Sequence, residues 1–210
     1  MSNLPPISRK PKICIICEGY EDEAYIKRLI SLHVWNNIYD FCTVNAKSAS
    51  SIPARYQDVY QNNGYELVLV FCDTDKKPYE QYRLTKRKIN DFFGKTKAAE
   101  KTIIFANPCT MQIILSHFAD VSLKNQGKKT NSEIIEELTG VKGYDAHGDQ
   151  INDICNKIFR RTYQDMRDRV EKINRADNTS GSTNFIQFLE RFESPDVKWI
   201  DSINKYLSGK

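Results

Sequence analysis

The sequence predicts an α/β fold in which a mainly parallel sheet is flanked by helices, with a helical extension at its C-terminal end. Through about residue 120, short apolar runs alternate with helical patterns, as in chains that build parallel sheets. One run, residues 67–72, has six consecutive apolar residues, which is typical of a strand buried on both faces. Only helical patterns follow. We therefore predict an α/β core over residues 1–120 and a helical C-terminal region over residues 121–210 that packs on it.

Four apolar runs are predicted to be the strands of the core: residues 12–17, 41–44, 67–72 and 102–106. The helices predicted between them cover residues 21–35, 52–60 and 78–93. After the fourth strand, Asn107 and Pro108 suit the N-cap and first position of a helix that runs to about residue 118.

The C-terminal region begins with a polar loop and a short helix around residues 134–138. Apolar residues then recur at helical spacing from residue 151 to residue 173, which predicts one helix of about six turns. A loop over residues 177–183 and helices near 184–192 and 196–207 complete the prediction.

The composition excludes several classes of protein. Hydrophobic residues make up 40% of the 210 residues, too many for a disordered chain. No stretch approaches 18 apolar residues and no signal peptide is visible, so we expect a cytoplasmic protein without membrane contact. Cys14 and Cys17 lack a second Cys or His pair at matching spacing, which argues against a zinc site.

Acidic residues directly follow the two most apolar strands. Glu18 and Gly19 come after the first strand, and Asp73 and Asp75 come after the third. In an open parallel sheet the ligand site lies beyond the carboxyl ends of the strands, so these carboxylates should meet at one edge. Gly19 would let the chain turn sharply near a ligand. Clustered carboxylates suit a hard cation such as Mg²⁺ or Mn²⁺, which could activate water against a phosphoryl group.

Three further acids, Glu21, Asp22 and Glu23, open the first predicted helix. Negative charge at a helix N-terminus is favourable in itself, so the sequence alone gives these residues a local structural role.

Positive charge is concentrated in residues 76–101, which carry nine basic and three acidic residues. Aromatic residues are interleaved there, a mixture that suits a nucleic-acid strand. The alternative is a solvated basic helix whose rings face the core. The predicted nucleic-acid contacts are Lys76, Lys77, Arg83, Lys86, Arg87 and Lys88.

These motifs together resemble a known family. Glu-Gly after the first strand and Asp-x-Asp after a later strand are similar to the Toprim domain of topoisomerases, primases, RNA-maturing nucleases and overcoming-lysogenization-defect (OLD) nucleases. Asn107-Pro108-Cys109 followed by His117-Phe118 resembles a block of RloB-like proteins, Toprim-related proteins found near restriction and phage-defence genes. The segments 16–19 and 182–184 resemble that family's first and last motifs. The family usually has an acidic residue after Asn-Pro, where this chain has Thr110, Met111 and Gln112.

The resemblance implies a Toprim-like core in which Glu18, Asp73 and Asp75 ligate the metal and take part in catalysis, with Glu18 also a general base. Gly19, Glu23, Asn107 and His117 are the expected supporting residues. His117 lies on an apolar helix, so a buried, hydrogen-bonded histidine is the simpler expectation and contact with a phosphate the alternative.

The leading functional hypothesis is a Mg²⁺-dependent nuclease that acts on DNA or RNA in defence against phage. One alternative is a non-catalytic nucleic-acid-binding module, or one that a partner activates. Such a partner could be a separate ATPase subunit, because this chain has no Walker A sequence. A housekeeping nuclease that matures RNA is the other alternative.

Overall fold

A computed structural model describes residues 9–62, 64–74 and 80–209. The strands in this part of the chain are β1 (Lys12–Cys17), β2 (Asp40–Asn45), β3 (Leu67–Asp73), β4 (Ile103–Asn107) and β5 (Ser182–Thr183). The helices are α1 (Tyr20–Ser31), α2 (Ile52–Asn62), α3 (Glu80–Phe93), α4 (Ala98–Thr102), α5 (Met111–Leu115), α6 (Lys128–Thr139), α7 (Gly148–Asn156), α8 (Arg160–Glu171), α9 (Phe185–Glu193) and α10 (Lys198–Ser208).

The strands form one sheet in the order β2-β1-β3-β4-β5. The first four are parallel, and β5 joins β4 in the antiparallel sense. β1 and β3 lie inside the sheet and are buried along nearly their whole length, whereas β2 is a half-buried edge strand. This confirms the predicted α/β class with a mainly parallel sheet flanked by helices, and helices dominate the C-terminal region as expected.

The order of the strands creates a switch point between β1 and β3. From β1 the chain moves outward to β2, and then returns to the other side of β1 to form β3. Connections therefore leave the carboxyl ends of these two neighbours in opposite directions and open a crevice there, the usual ligand position in such sheets.

The helix predicted from Asn107 is wrong in its start and its length. Asn107 is the last residue of β4, where it pairs with Ser182, and its side chain donates to the carbonyl of Asp177 instead of capping a helix. The helix that follows, α5, begins at Met111 and ends at Leu115. Just after its end, the carbonyl of Ser116 accepts a hydrogen bond of 2.7 Å from Arg169.

The single long helix predicted over residues 151–173 is in fact two helices, α7 and α8. The guanidinium of Arg28 binds the carbonyl of Ile158 through two hydrogen bonds, of 2.7 and 3.1 Å. Phe159 is extended, and its N–H donates to the Thr162 hydroxyl at the start of α8. Apolar periodicity continues across this break because both helices pack on the same core.

The C-terminal region contributes a strand as well as helices, although residues 177–183 were predicted to be a loop. Beyond the two-residue strand β5, the side chain of Asn184 accepts from the N–H of Phe105 and donates to the carbonyl of Ile103. The side-chain amide of Asn184 thus continues the hydrogen bonds along β4, where a backbone peptide group of a longer strand would otherwise pair. Within the part of the chain that the structure describes, no helix is both long and apolar enough to cross a membrane.

Candidate functional site

Glu18 and Asp73 lie side by side at the switch point. Cys17 of β1 is opposite Phe71 of β3, so the residues that follow emerge at the same edge of the sheet. The N–H of Glu18 binds the carbonyl of Phe71 at 3.1 Å, and the N–H of Asp73 donates to Oε2 of Glu18 at 3.2 Å. The two strands therefore bring the Glu18 carboxylate against the backbone of Asp73, and the Glu18 charge is one cause of the raised pKa of Asp73.

The third predicted ligand, Asp75, lies outside the described residues, as do Lys76 and Lys77. Among the residues that the structure does describe, no three His, Cys, Asp or Glu side chains converge closely enough to hold a metal ion. The predicted ligand triad therefore remains a prediction.

Two residues that the sequence analysis gave no chemical role complete the cluster. Asp22 is 5% exposed, and its Oδ2 accepts a hydrogen bond of 2.9 Å from the N–H of Gly19. Thr110 donates its N–H to Oδ1 of Asp73 at 2.7 Å. The Thr110 hydroxyl lies within hydrogen-bond distance of Oδ1 of both Asp22 and Asp73. The only available signal for Asp22 was its place in the acidic segment directly after Glu18-Gly19.

The position of the Thr110 hydroxyl between Asp22 and Asp73 bears on the protonation of these two carboxyl groups. A hydroxyl carries one proton and cannot donate to two carboxylates at once. Burial raises the pKa of Asp22 to about 7. Burial, with the neighbouring charges of Asp22 and Glu18, raises the pKa of Asp73 well above its usual value. Without a cation, a proton on one of the two aspartates relieves their repulsion.

These residues line a cavity of about 470 Å³, here called the carboxylate cavity. Its acidic side carries Glu18, Glu21, Asp22 and Asp73. The opposite side comes from the C-terminal region and includes Gln126, Asn131, Ile135 and Tyr144. The hydroxyl of Tyr144 donates to Oε1 of Glu21, so the C-terminal region is tied directly to the acidic side.

Two of the expected supporting residues have defined local roles. Gly19 adopts an extended conformation that other residues can share, and a Cβ atom there would approach Asp22 only to 3.9 Å. A sharp glycine turn is thus not what the structure shows. Glu23 points away from the cavity and accepts hydrogen bonds from Thr43 and Asn45 of β2, while Lys27 forms an ion pair with it at 2.7 Å.

His117 and Asn107 are both buried and both hydrogen-bonded within the protein. His117 contacts the hydroxyl of Tyr25 at 2.9 Å through Nε2, and burial lowers its pKa to about 3, so the ring is neutral. The side chain of Asn107 binds the Asp177 carbonyl at 2.8 Å. Neither residue lines the carboxylate cavity.

The predicted nucleic-acid contacts on α3 divide into two groups. Arg83, Arg87 and Lys88 are exposed. Lys86 instead forms an ion pair of 2.6 Å with Asp177, which also accepts from the hydroxyl of buried Tyr82. The ring of Tyr82 therefore belongs to the core, and the exposed cations are those positioned to contact a ligand.

The donor atoms of the described cavity residues, although not their spacing, are of the kind that a hard divalent cation prefers. Glu18, Asp22 and Asp73 offer only oxygen donors, which is the ligand type that Mg²⁺ and Mn²⁺ prefer. Burial, and after it the charges of Asp22 and Glu18, raise the pKa of Asp73, and a bound cation would offset both costs.

No known protein-family profile matches the sequence, and no curated protein matches it. Among solved structures, the chain is similar to the C-terminal region of the Burkholderia pseudomallei OLD protein, with a TM-score of 0.43 and 11% sequence identity. The match covers 76% of this chain and 95% of that one.

Proposed function

We propose that the chain is a nuclease that depends on a divalent cation and cleaves phosphodiester bonds of nucleic acid at the carboxylate cavity. The observation that carries the proposal is the contact between Glu18 and Asp73 at the carboxyl ends of the two strands beside the switch point. The resemblance of the motifs to RloB-like and Toprim proteins supports the same assignment. It also supports a role in defence against phage and a separate ATPase subunit as partner.

In this proposal Glu18, Asp73 and Asp75 hold Mg²⁺ or Mn²⁺, with Asp22 beside them. The cation would supply positive charge that polarises a phosphoryl oxygen. Asp22, with a pKa of about 7 in the cation-free protein, can hold or release a proton near neutral pH. Thr110 fixes the positions of Asp22 and Asp73 through its hydroxyl. The exposed arginines of α3 would hold the phosphate backbone outside the cavity.

A second candidate is a nucleic-acid-binding module that becomes active only with a partner. The observation in its favour is that no three metal-ligating side chains converge among the described residues, and that Thr110 binds both Asp22 and Asp73. A partner or substrate would then have to bring the ligands together.

The test is cleavage of labelled DNA and RNA by the purified protein with Mg²⁺, Mn²⁺ or EDTA. We expect cleavage that EDTA stops, and a loss of at least about 100-fold in Asp73→Asn, which removes one charge from the cluster. Asp58→Asn, the same change on the exposed side of α2, is the matched control and should behave as wild type.

Folding of Asp73→Asn is checked by thermal unfolding in EDTA. Its stability should equal or exceed that of wild type, because a buried charge repelled by its neighbours is removed. The stabilisation by added Mg²⁺ should shrink. Equal cleavage by wild type and Asp73→Asn would refute the catalytic assignment. Absence of cleavage by wild type, with metal binding retained, would favour the partner-dependent module.

A further inference from the structure

An aromatic ring lines the carboxylate cavity beside the acidic cluster. Tyr20, the first residue of α1, lines the cavity and is 49% exposed, unlike most large apolar side chains of the protein. It follows directly on Glu18 and Gly19, so the ring lies beside the acidic cluster. Part of the ring surface is therefore available for a ligand to stack on.

The ring is held in place by α7. The hydroxyl of Tyr20 and the side chain of Asn152 are hydrogen-bonded, with 3.0 Å between Nδ2 and the hydroxyl. The ring also lies over Gly148, where an added Cβ would meet its Cε1 at 3.4 Å. A ring fixed in this way loses little conformational entropy when a ligand stacks on it.

The other walls of the cavity favour a flat ligand with a polar edge. Met111 and Ile135 supply apolar surface, and Gln126 and Asn131 supply side-chain amides. Of the lining residues whose side chains the structure describes, none is Lys or Arg. The carboxylates among these described residues would repel a phosphate in the absence of a cation, whereas a nucleobase matches the ring of Tyr20 and the amides.

Only an unpaired base can stack on the ring. In a duplex the bases are stacked on one another and show only their edges in the grooves, so a base must be single-stranded or turned out of the duplex to offer its face. The cavity of about 470 Å³ lies in the size range of small-molecule sites.

We infer that Tyr20 is the stacking platform for an unpaired base, and that the substrate is single-stranded nucleic acid or a nucleotide turned out of a duplex. The inference rests on the proposed function, because it assigns the substrate class of the same cavity. Base stacking on Tyr20 positions the adjoining phosphodiester toward Glu18 and Asp73.

The test measures the binding of oligonucleotides that carry 2-aminopurine, a base whose fluorescence is quenched when it stacks. Single strands and duplexes of the same sequence are compared in the presence of Ca²⁺. We expect single strands to bind at least about ten-fold more tightly than duplexes and to be quenched. Tyr20→Ala should lose about ten-fold in affinity for single strands, together with the quenching. Tyr20→Phe, which keeps the ring but not the bond to Asn152, should lose no more than a few-fold.

Phe159→Ala is the matched control, because Phe159 is 56% exposed and lies outside the cavity. It should bind as wild type does. Equal affinity for single strands and duplexes, or wild-type binding and quenching by Tyr20→Ala, overturns the inference.

The cleavage assay separates the two proposals. Cation-dependent cleavage that Tyr20→Ala leaves unchanged overturns the inference and leaves the nuclease assignment standing. Tyr20-dependent binding of single strands without cleavage supports the inference and refutes the nuclease assignment. Failure of wild type to bind any oligonucleotide overturns the inference whatever the cleavage result.

Discussion

Asp22 and Glu23 are consecutive residues of one helical turn, yet their carboxylates face opposite surroundings. Asp22 points into the carboxylate cavity, where burial raises its pKa to about 7. Burial acts on Glu23 in the same direction, but hydrogen bonds from Lys27 and Asn45 outweigh it and hold the pKa of Glu23 below its usual value. The difference is that Glu23 is paired with a cation, whereas buried Asp22 accepts hydrogen bonds from Gly19 and Thr110 that do not offset its burial. A buried carboxyl group with a raised pKa that lines a cavity is a candidate for contact with a ligand.

Helix α3 shows the same division among cations. Lys86 is matched by Asp177 at 2.6 Å, while Arg83 and Arg87 extend from the exposed side of the helix. Position along the chain does not separate these residues, because they lie within five positions of one another. What distinguishes Lys86 from the two arginines is its contact with Asp177, a residue distant in sequence.

The largest expected effect is on cleavage. Asp22→Asn removes a charge from the proposed cation site and should reduce cation-dependent cleavage by about 10- to 100-fold. Glu23→Gln should stay within about two-fold of wild type, because its carboxylate faces β2. Single-turnover cleavage in Mg²⁺ provides the measurement. A loss in Glu23→Gln as large as that in Asp22→Asn would show that the two sides of α1 are not functionally distinct.

The second effect is on stability and has opposite signs at the two residues. A raised folded-state pKa means that the native state binds the proton more tightly than the unfolded state does. Asp22 therefore lowers the free energy of unfolding as pH rises from about 4 through 7. The lowered pKa of Glu23 contributes stability above the unfolded-state pKa, and this is lost as pH falls through the folded-state pKa.

In EDTA, Asp22→Asn should therefore exceed wild type by on the order of 2 kcal/mol at pH 8, and by much less at pH 5. Glu23→Gln should be less stable than wild type at pH 8 by at most about 1 kcal/mol, because Lys27 is largely exposed. Denaturant titrations at the two pH values measure both differences. Excess Mg²⁺ should erase the gain of Asp22→Asn at pH 8, since the cation stabilises only the protein that binds it well.

The sequence was sufficient for those parts of the molecule that depend on local pattern. Buried strands are continuous apolar runs, and parallel strands bring their carboxyl ends together, so β1, β3, Glu18 and Asp73 could be placed without coordinates. Asp22 could not be distinguished from its neighbours, because all three acids of the first turn of α1 have the same favourable interaction with the helix N-terminus.

Other features depend on contacts between residues distant in sequence. The break between α7 and α8 involves Arg28, which is 130 positions from Ile158 along the chain. β5 is only two residues long, and its place beside β4 is fixed by the side chain of Asn184. No local pattern encodes either contact.

The smallest expected effect concerns the cations of α3 and nucleic-acid affinity. Arg83→Ala combined with Arg87→Ala should weaken binding a few-fold near 0.1 M salt and lower the slope of log affinity against log salt by about one to two. The reason is that each exposed cation that contacts a phosphate releases roughly one counterion. Lys86→Ala should leave that slope unchanged, because its ammonium group is already paired with Asp177. It should instead lower the free energy of unfolding by at most about 1 kcal/mol.

The measurement is a salt series of oligonucleotide binding in Ca²⁺, with each variant's unfolding curve recorded alongside. A flattened slope in Lys86→Ala would mean that nucleic acid displaces Asp177. A slope unchanged in the double variant would assign Arg83 and Arg87 to a solvated helix face.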